Sequence, residues 1–194
     1  AVPAGNYGNL VSGLYGWRMA LPVNGFIVPS TPELTLDAGG NCMVMNSMIP
    51  LEKRTPADPA SPSNIERLEQ IFKANSLMLR SFVYPAAVSE KEIEAACKKL
   101  FMQYKVYADH DTAAAYAAVL KRSDVAAEED GAVVLVARDS PALSKDFLMH
   151  NLGESPAMPS NITEAFKPVK LDKAPIAPGD TDSVISILNS LNLS

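Results

Sequence analysis

Ser89-Glu-Lys-Glu-Ile-Glu-Ala-Ala-Cys-Lys-Lys-Leu-Phe-Met-Gln-Tyr104 is the stretch on which the reading of the fold turns. Ser89 and Glu92 are spaced as a capping box, in which hydroxyl and carboxylate each satisfy a backbone N–H orphaned at a helix start. Behind the cap, Ile93, Ala96, Cys97, Leu100, Phe101 and Tyr104 recur at three- and four-residue intervals and lay an apolar stripe along a helix. Lys98, Lys99 and Lys105 alternate with Glu90, Glu92 and Glu94 on the other side, the pattern of a solvated face with local ion pairs.

Working outward, the same grammar repeats. Upstream, Ser63 and Glu66 form a second capping box. Ile65, Leu68, Ile71, Phe72, Met78, Leu79 and Phe82 then keep helical spacing until Pro85. Downstream, Asp111 is placed to cap an alanine-rich helix over Thr112–Arg122, with Lys121 and Arg122 where positive charge suits the dipole. Gly131-Ala-Val-Val-Leu-Val-Ala137 is β-branched and apolar, and predicts a buried strand. Ser140-Pro141 opens a further helix that Gly153 ends. A last helix is expected from about Asp182 to Leu191, with Val184, Ile187, Leu188 and Leu191 turned inward.

The amino-terminal third reads differently. Residues 1–32 hold one charge, Arg18, with five glycines and the aromatics Tyr7, Tyr15, Trp17 and Phe26. Gly5-Asn6-Tyr7-Gly8 returns loosely as Gly13-Leu14-Tyr15-Gly16, and an even offset puts both tyrosines on one face of an extended segment. Val23-Asn24-Gly25-Phe26 carries the dipeptide of a type I′ hairpin turn, with Pro22 and Pro29 restricting its strands to short or edge positions. A second pair is expected from Glu33–Asp37 and Cys42–Ile49. The prolines at 50, 56, 59 and 62 then mark a connection. The expected organisation is α+β: an extended arm and first hairpin over 1–32, short strands and a Pro-rich connection over 33–62, and a mainly helical core over 63–194 with one buried strand.

Composition narrows the function. The 194 residues are 47% hydrophobic and 20% charged, as in a globular chain. Seventeen Lys+Arg against 22 Asp+Glu leave a net charge of −5, which argues against binding nucleic acid by counterion release. No apolar run is long enough for a membrane-spanning helix. The start shows neither the basic region nor the apolar core of a signal peptide, so cytoplasmic synthesis is expected.

Ligand-type residues are few. Asp109-His110-Asp111 places an imidazole between carboxylates, as a metal ligand set or an oriented base would need, but also as a capped, solvated turn would. His150 falls near a helix end. Cys42 follows a Gly-Gly-Asn turn, where a nucleophile could be displayed, while Cys97 lies in the packed stripe. The glycines at 5, 8, 13 and 16 match neither a phosphate loop nor a dinucleotide fingerprint, since no strand-to-helix context is expected around them. No cofactor and no metal are implied.

Two classes of function remain. The first is a structural subunit of a larger assembly, such as a virion or capsid component, a filament or a multiprotein complex. It would join copies of itself or other subunits through an arm presenting Tyr7, Leu10, Leu14, Tyr15 and Trp17. The second is a small enzyme or ligand-binding protein with a pocket near Asp109 and His110 or near Cys42. The absence of catalytic motifs favours the first.

Overall fold

The computed structural model describes residues 1–44, 49–53, 63–72, 76–127, 131–168, 176–177 and 179–190. The fold is α+β, with short strands near the amino terminus and a mainly helical core. The Pro-rich connection lies largely outside the described residues.

Helix α1 (Gly8–Arg18) occupies the stretch expected to be an extended arm. Its glycines concealed it, because glycine is unfavourable in a helix interior. Here Gly13 serves a close approach: a methyl group on it would lie 2.4 Å from Phe26 Cε1. Leu10, Val11 and Leu14, one helical turn apart, are buried in the chain's own core with Val28, Leu68 and Phe72. Tyr7 precedes the helix and is also buried, whereas Tyr15, eight residues on, is 45% exposed. Trp17 is half-buried and stacks at 4.4 Å on Phe82.

Strand β1 (Phe26–Pro29) follows α1, but not as half of a hairpin. Neither Asn24 nor Gly25 takes the positive φ that a type I′ turn demands. The partner of β1 is instead β4 (Val83–Ala86), which runs parallel with Phe26 opposite Val83. The expected second pair does form: β2 (Leu34–Leu36) and β3 (Cys42–Val44) are antiparallel. Their connection is tied by the Asp37 carboxylate, which accepts from Gly39 N–H at 2.8 Å and Asn41 N–H at 2.9 Å.

Residues 1–2 extend the β1–β4 layer. Val2 N–H donates to Ile27 C=O at 3.0 Å. On their other side, the Ala1 amino group donates to Val134 C=O at 2.7 Å, and Val136 N–H to Ala1 C=O at 3.0 Å. The order across the layer is therefore β4, β1, residues 1–2, residues 134–136. The apolar run 131–137 is thus in place beside the sheet, but it is not the buried strand expected: Val134 is 70% exposed.

The helices cover this layer. Beyond α2 (Ile65–Phe72) and α3 (Ser76–Phe82), α4 (Glu90–Tyr104) has the capping box read from sequence. The Glu92 carboxylate accepts from Ser89 N–H at 2.7 Å and from its hydroxyl at 2.8 Å. Ile93, Ala96, Cys97 and Leu100 are buried, while Tyr104 at the end of the stripe is exposed. Alongside lies α5 (His110–Lys121), capped by Asp109 and not by Asp111. Ala113 and Ala114 of α5 share a core with Ile93 and Leu100 of α4 and with Leu148. After the short α6 (Ser123–Ala126), the turn Pro141–Ser144 leads into α7 (Lys145–Leu152), which ends on Gly153 as expected.

Residues Ala1–Ala157 form one compact unit and Met158–Ser194 a second. The second contains α8 (Ser160–Ala165) and α9 (Thr181–Ser190). The last helix is where the sequence put it, but Val184, Ile187 and Leu188 are exposed instead of turned inward; Leu191 lies outside the described residues. Among the described residues no helix is long and apolar enough to cross a membrane.

Candidate functional site

The hydrogen bonds that flank Ala1 are those of a parallel pair, one residue bridging two positions of its neighbour that stand two apart. Residues 1–3 and 134–136 therefore point the same way, and the segments at their carboxyl ends are brought together. After residues 1–3 comes the turn over residues 4–7, after 134–136 comes Arg138, and after β1 come Ser30 and Thr31. Counted along the chain, the layer reads third, second, first, fourth, so its order reverses between residues 1–2 and 134–136. In open α/β layers, ligands settle outside the carboxyl ends of the strands at such a reversal. The Gly5 turn and Arg138 stand at that place.

The turn is built from left-handed residues, Gly5 at φ 45° and Tyr7 at φ 62°. Tyr7 N–H closes it onto Ala4 C=O at 2.7 Å. The Asn6 carbonyl is turned away from α1 and accepts from both the backbone and the side-chain amide of Asn64, each at 3.0 Å. The ring of Tyr7 is held beneath the turn, its hydroxyl bonded to Thr31 and, at 3.0 Å, to Glu33. Burial is the main reason its pKa is raised to about 12. With the turn fixed, α1 starts at Gly8, whose N–H donates to Asn6 Oδ1 at 3.1 Å, and the N–H groups of Asn9 and Leu10 follow in the first turn, where a helix supplies no carbonyl of its own for them. They carry the partial positive charge of the helix start, to which anions bind.

Arg138 lies against this turn: a methyl group on Gly5 would be 2.9 Å from its Nη1. Its guanidinium pairs with the Asp111 carboxylate, and its Nε is 3.5 Å from Asp139. The backbone N–H of Arg138 donates to Thr112 Oγ1 at 3.0 Å. Thr112 in turn donates its hydroxyl to Asp109, whose buried carboxylate also accepts from the N–H groups of Asp111 and Thr112 at 3.0 and 3.1 Å. His110, beside them, places Nε2 3.0 Å from Glu90 and Nδ1 3.5 Å from Asp111. Partial burial opposes its protonation, but hydrogen bonds and charge from Glu90 and Asp111 outweigh that and raise its pKa. At the end of β1, Ser30 Oγ is buried and has no hydrogen-bond partner among the described residues.

Asp109 and His110 thus belong to the network that reaches the Gly5 turn through Arg138, Asp109 as a cap and His110 as a partner of acids. Cys42 is elsewhere, buried in β3, with its thiol pushed up to about 12 by burial. It is no displayed nucleophile. Both cysteines are free, and Cys97 is fully buried. His150 is exposed in the last turn of α7. Among the described residues no group of three His, Cys, Asp or Glu could hold a metal ion. Sequence reasoning passed over Asn9 and Arg138, and it weighed Gly5 only as part of a phosphate loop or dinucleotide fingerprint, which it set aside for want of a helix after the glycine. The signal for the turn was present in Leu10, Val11 and Leu14, whose spacing supplies the helix that the glycines seemed to lack. Arg138 had no local signal, because its neighbour in space is far away in sequence.

No family model matches the chain. Threonine synthase of Buchnera aphidicola subsp. Schizaphis graminum is 28% identical over 163 residues, covering 84% of this chain and 37% of that protein. Threonine synthase of Haemophilus influenzae is 28% identical over 165 residues, with the same two shares of 84% and 37%. The crystal structure of threonine synthase from Escherichia coli superposes with a TM-score of 0.58 at 20% identity, again over 84% of this chain and 37% of that one. The chain therefore spans 37% of the length of the relatives it matches. These similarities overturn the expectation of a non-enzymatic virion, capsid or filament subunit with an assembly arm. They favour the second class, an enzyme or ligand-binding protein. The residues assigned to the arm agree, since Tyr7, Leu10 and Leu14 are packed inside this chain. Over 84% of its length, this chain shares the fold of part of the threonine synthase from Escherichia coli, 37% of that protein.

Proposed function

We propose that this chain is the ligand-binding part of an enzyme of the threonine-synthase kind, and that its crevice takes the anionic group of a small amino-acid-like ligand. One observation carries the reading: the Gly5 turn delivers the start of α1 to the point where the order of the layer reverses. The N–H groups of Asn9 and Leu10 would hold the anion, and Arg138 would bring a full positive charge beside it. Tyr7 keeps the turn in its left-handed form and excludes water from beneath. Because the chain matches 37% of its relatives' length, the assignment is to binding and not to the whole reaction.

Amide NMR during titration with inorganic phosphate, and separately with L-threonine, tests it. Shifts gathered at Gly5, Asn6, Asn9, Leu10 and Arg138 are expected. Gly5→Val, whose side chain would meet Arg138, should abolish them while leaving the α4 and α5 amides in place. No response of the turn at saturating phosphate, or shifts spread over surface lysines alone, would refute the reading.

A further inference from the structure

We infer that His110 and Asp111 are positioning residues for Arg138, so that an anion is held in the crevice more tightly when His110 carries a proton. The inference rests on the anion-binding role proposed for the crevice and adds a regulation to it. The Asp111 carboxylate faces two basic groups, one oxygen on Arg138 Nη1 and the other 3.5 Å from His110 Nδ1, which is a cation only when protonated. With His110 protonated, Asp111 serves both, and the charge of Arg138 is less fully neutralised. With His110 neutral, Asp111 belongs to Arg138 alone, and an incoming anion must compete with it.

Among the described residues, the groups facing His110 come from three helices. Glu90 approaches from the start of α4 at 3.0 Å, Asp111 from its own helix, and the Phe147 ring of α7 edge-on at 5.2 Å. Asp109 is occupied by the cap, and Asp139 lies on the Nε side of Arg138. The start of α5 disfavours positive charge on His110; Glu90 and Asp111 offset this. Charge therefore runs Glu90, His110, Asp111, Arg138, alternating in sign, and ends against Gly5. A change at His110 is felt at the crevice through one shared carboxylate.

Sulfate is the probe, since its charge stays constant while phosphate titrates near neutrality. Its dissociation constant is read from the amides of residues 5–10 between about pH 6 and about pH 9, a range that spans the histidine titration. The wild-type chain should bind about fivefold more weakly at the alkaline end, a coupling at the low end of those usual between sites. His110→Gln should flatten the profile at the weak level, and Asp111→Asn should flatten it at the tight level. Glu90→Gln, on an exposed side chain, should keep the fold and move the midpoint to lower pH. Sulfate binding at the turn with no pH dependence, or an unchanged slope in His110→Gln, overturns the inference and leaves the binding reading standing. Absence of any sulfate or phosphate response refutes both.

Discussion

Glu92 shows how much one side chain does at a helix start. The Ser89 backbone N–H is the largest influence on its carboxyl; Lys121 and the Ser89 hydroxyl add to it, and together they hold its pKa at about 2 against an ordinary 4.5. A depressed carboxyl stabilises the fold fully above its unfolded pKa, and that contribution fades as pH falls through the folded value. The stability difference between the wild-type chain and Glu92→Gln should therefore hold steady down to about pH 4.5 and shrink towards about pH 2. Urea melts across that range check it; a difference independent of pH would count against the cap. Cys42 makes the opposite case. Its buried thiol should resist a thiol reagent in the folded chain and react at once in denaturant. Fast labelling of the native protein would contradict that burial. At this scale the sequence was readable where a residue answers to its neighbours, as with Ser89 and Glu92. The helix cap was misplaced by two positions, because two aspartates compete for one helix start and only the tertiary bonds from Arg138 N–H to Thr112 and from Asp139 N–H to Asp109 decide between them.

Among the elements, α1 separates local pattern from local composition. Leu10, Val11 and Leu14 are spaced for a helix, but the glycines and aromatics around them suggested an extended strap. The helix holds because its buried side is filled by β1, and because Gly13 admits the Phe26 ring. Leu14→Ala should cost about 2–5 kcal/mol, the range for emptying a core leucine site. Tyr15→Ala, one residue away and exposed, should stay within about 0.5 kcal/mol. Denaturant melts giving equal losses would mean that the helix buries a different face. The strands were legible only in part. Asn24-Gly25 has the composition of a hairpin turn, yet the partner of β1 comes from more than fifty residues downstream, a pairing that no local signal announces. Residues 131–137 were recognised as strand-like and misjudged as buried, since apolar character sets a preference for burial but not the presence of a neighbour.

For the molecule as a whole, the amino-terminal segment is core and not appendage. Removing residues 1–16 would take away Leu10, Val11 and Leu14 together with the bonds that join β1 to residues 134–136. The unit Ala1–Ala157 should then lose its cooperative thermal transition by circular dichroism; a truncated chain that still melts cooperatively would show that the layer closes without it. The bond from Ala1 to Val134 spans 133 positions. Closing a loop that long is entropically slow, and rates fall as contacts become more distant in sequence. During synthesis, the Gly5 turn precedes Arg138 and meets it only after the ribosome has added everything between them. Until then β1 has an open flank, the kind of edge on which nascent chains aggregate. The place where they meet therefore exists only after the segment between them has been made, and a ligand caught there would reward folding already done instead of guiding it.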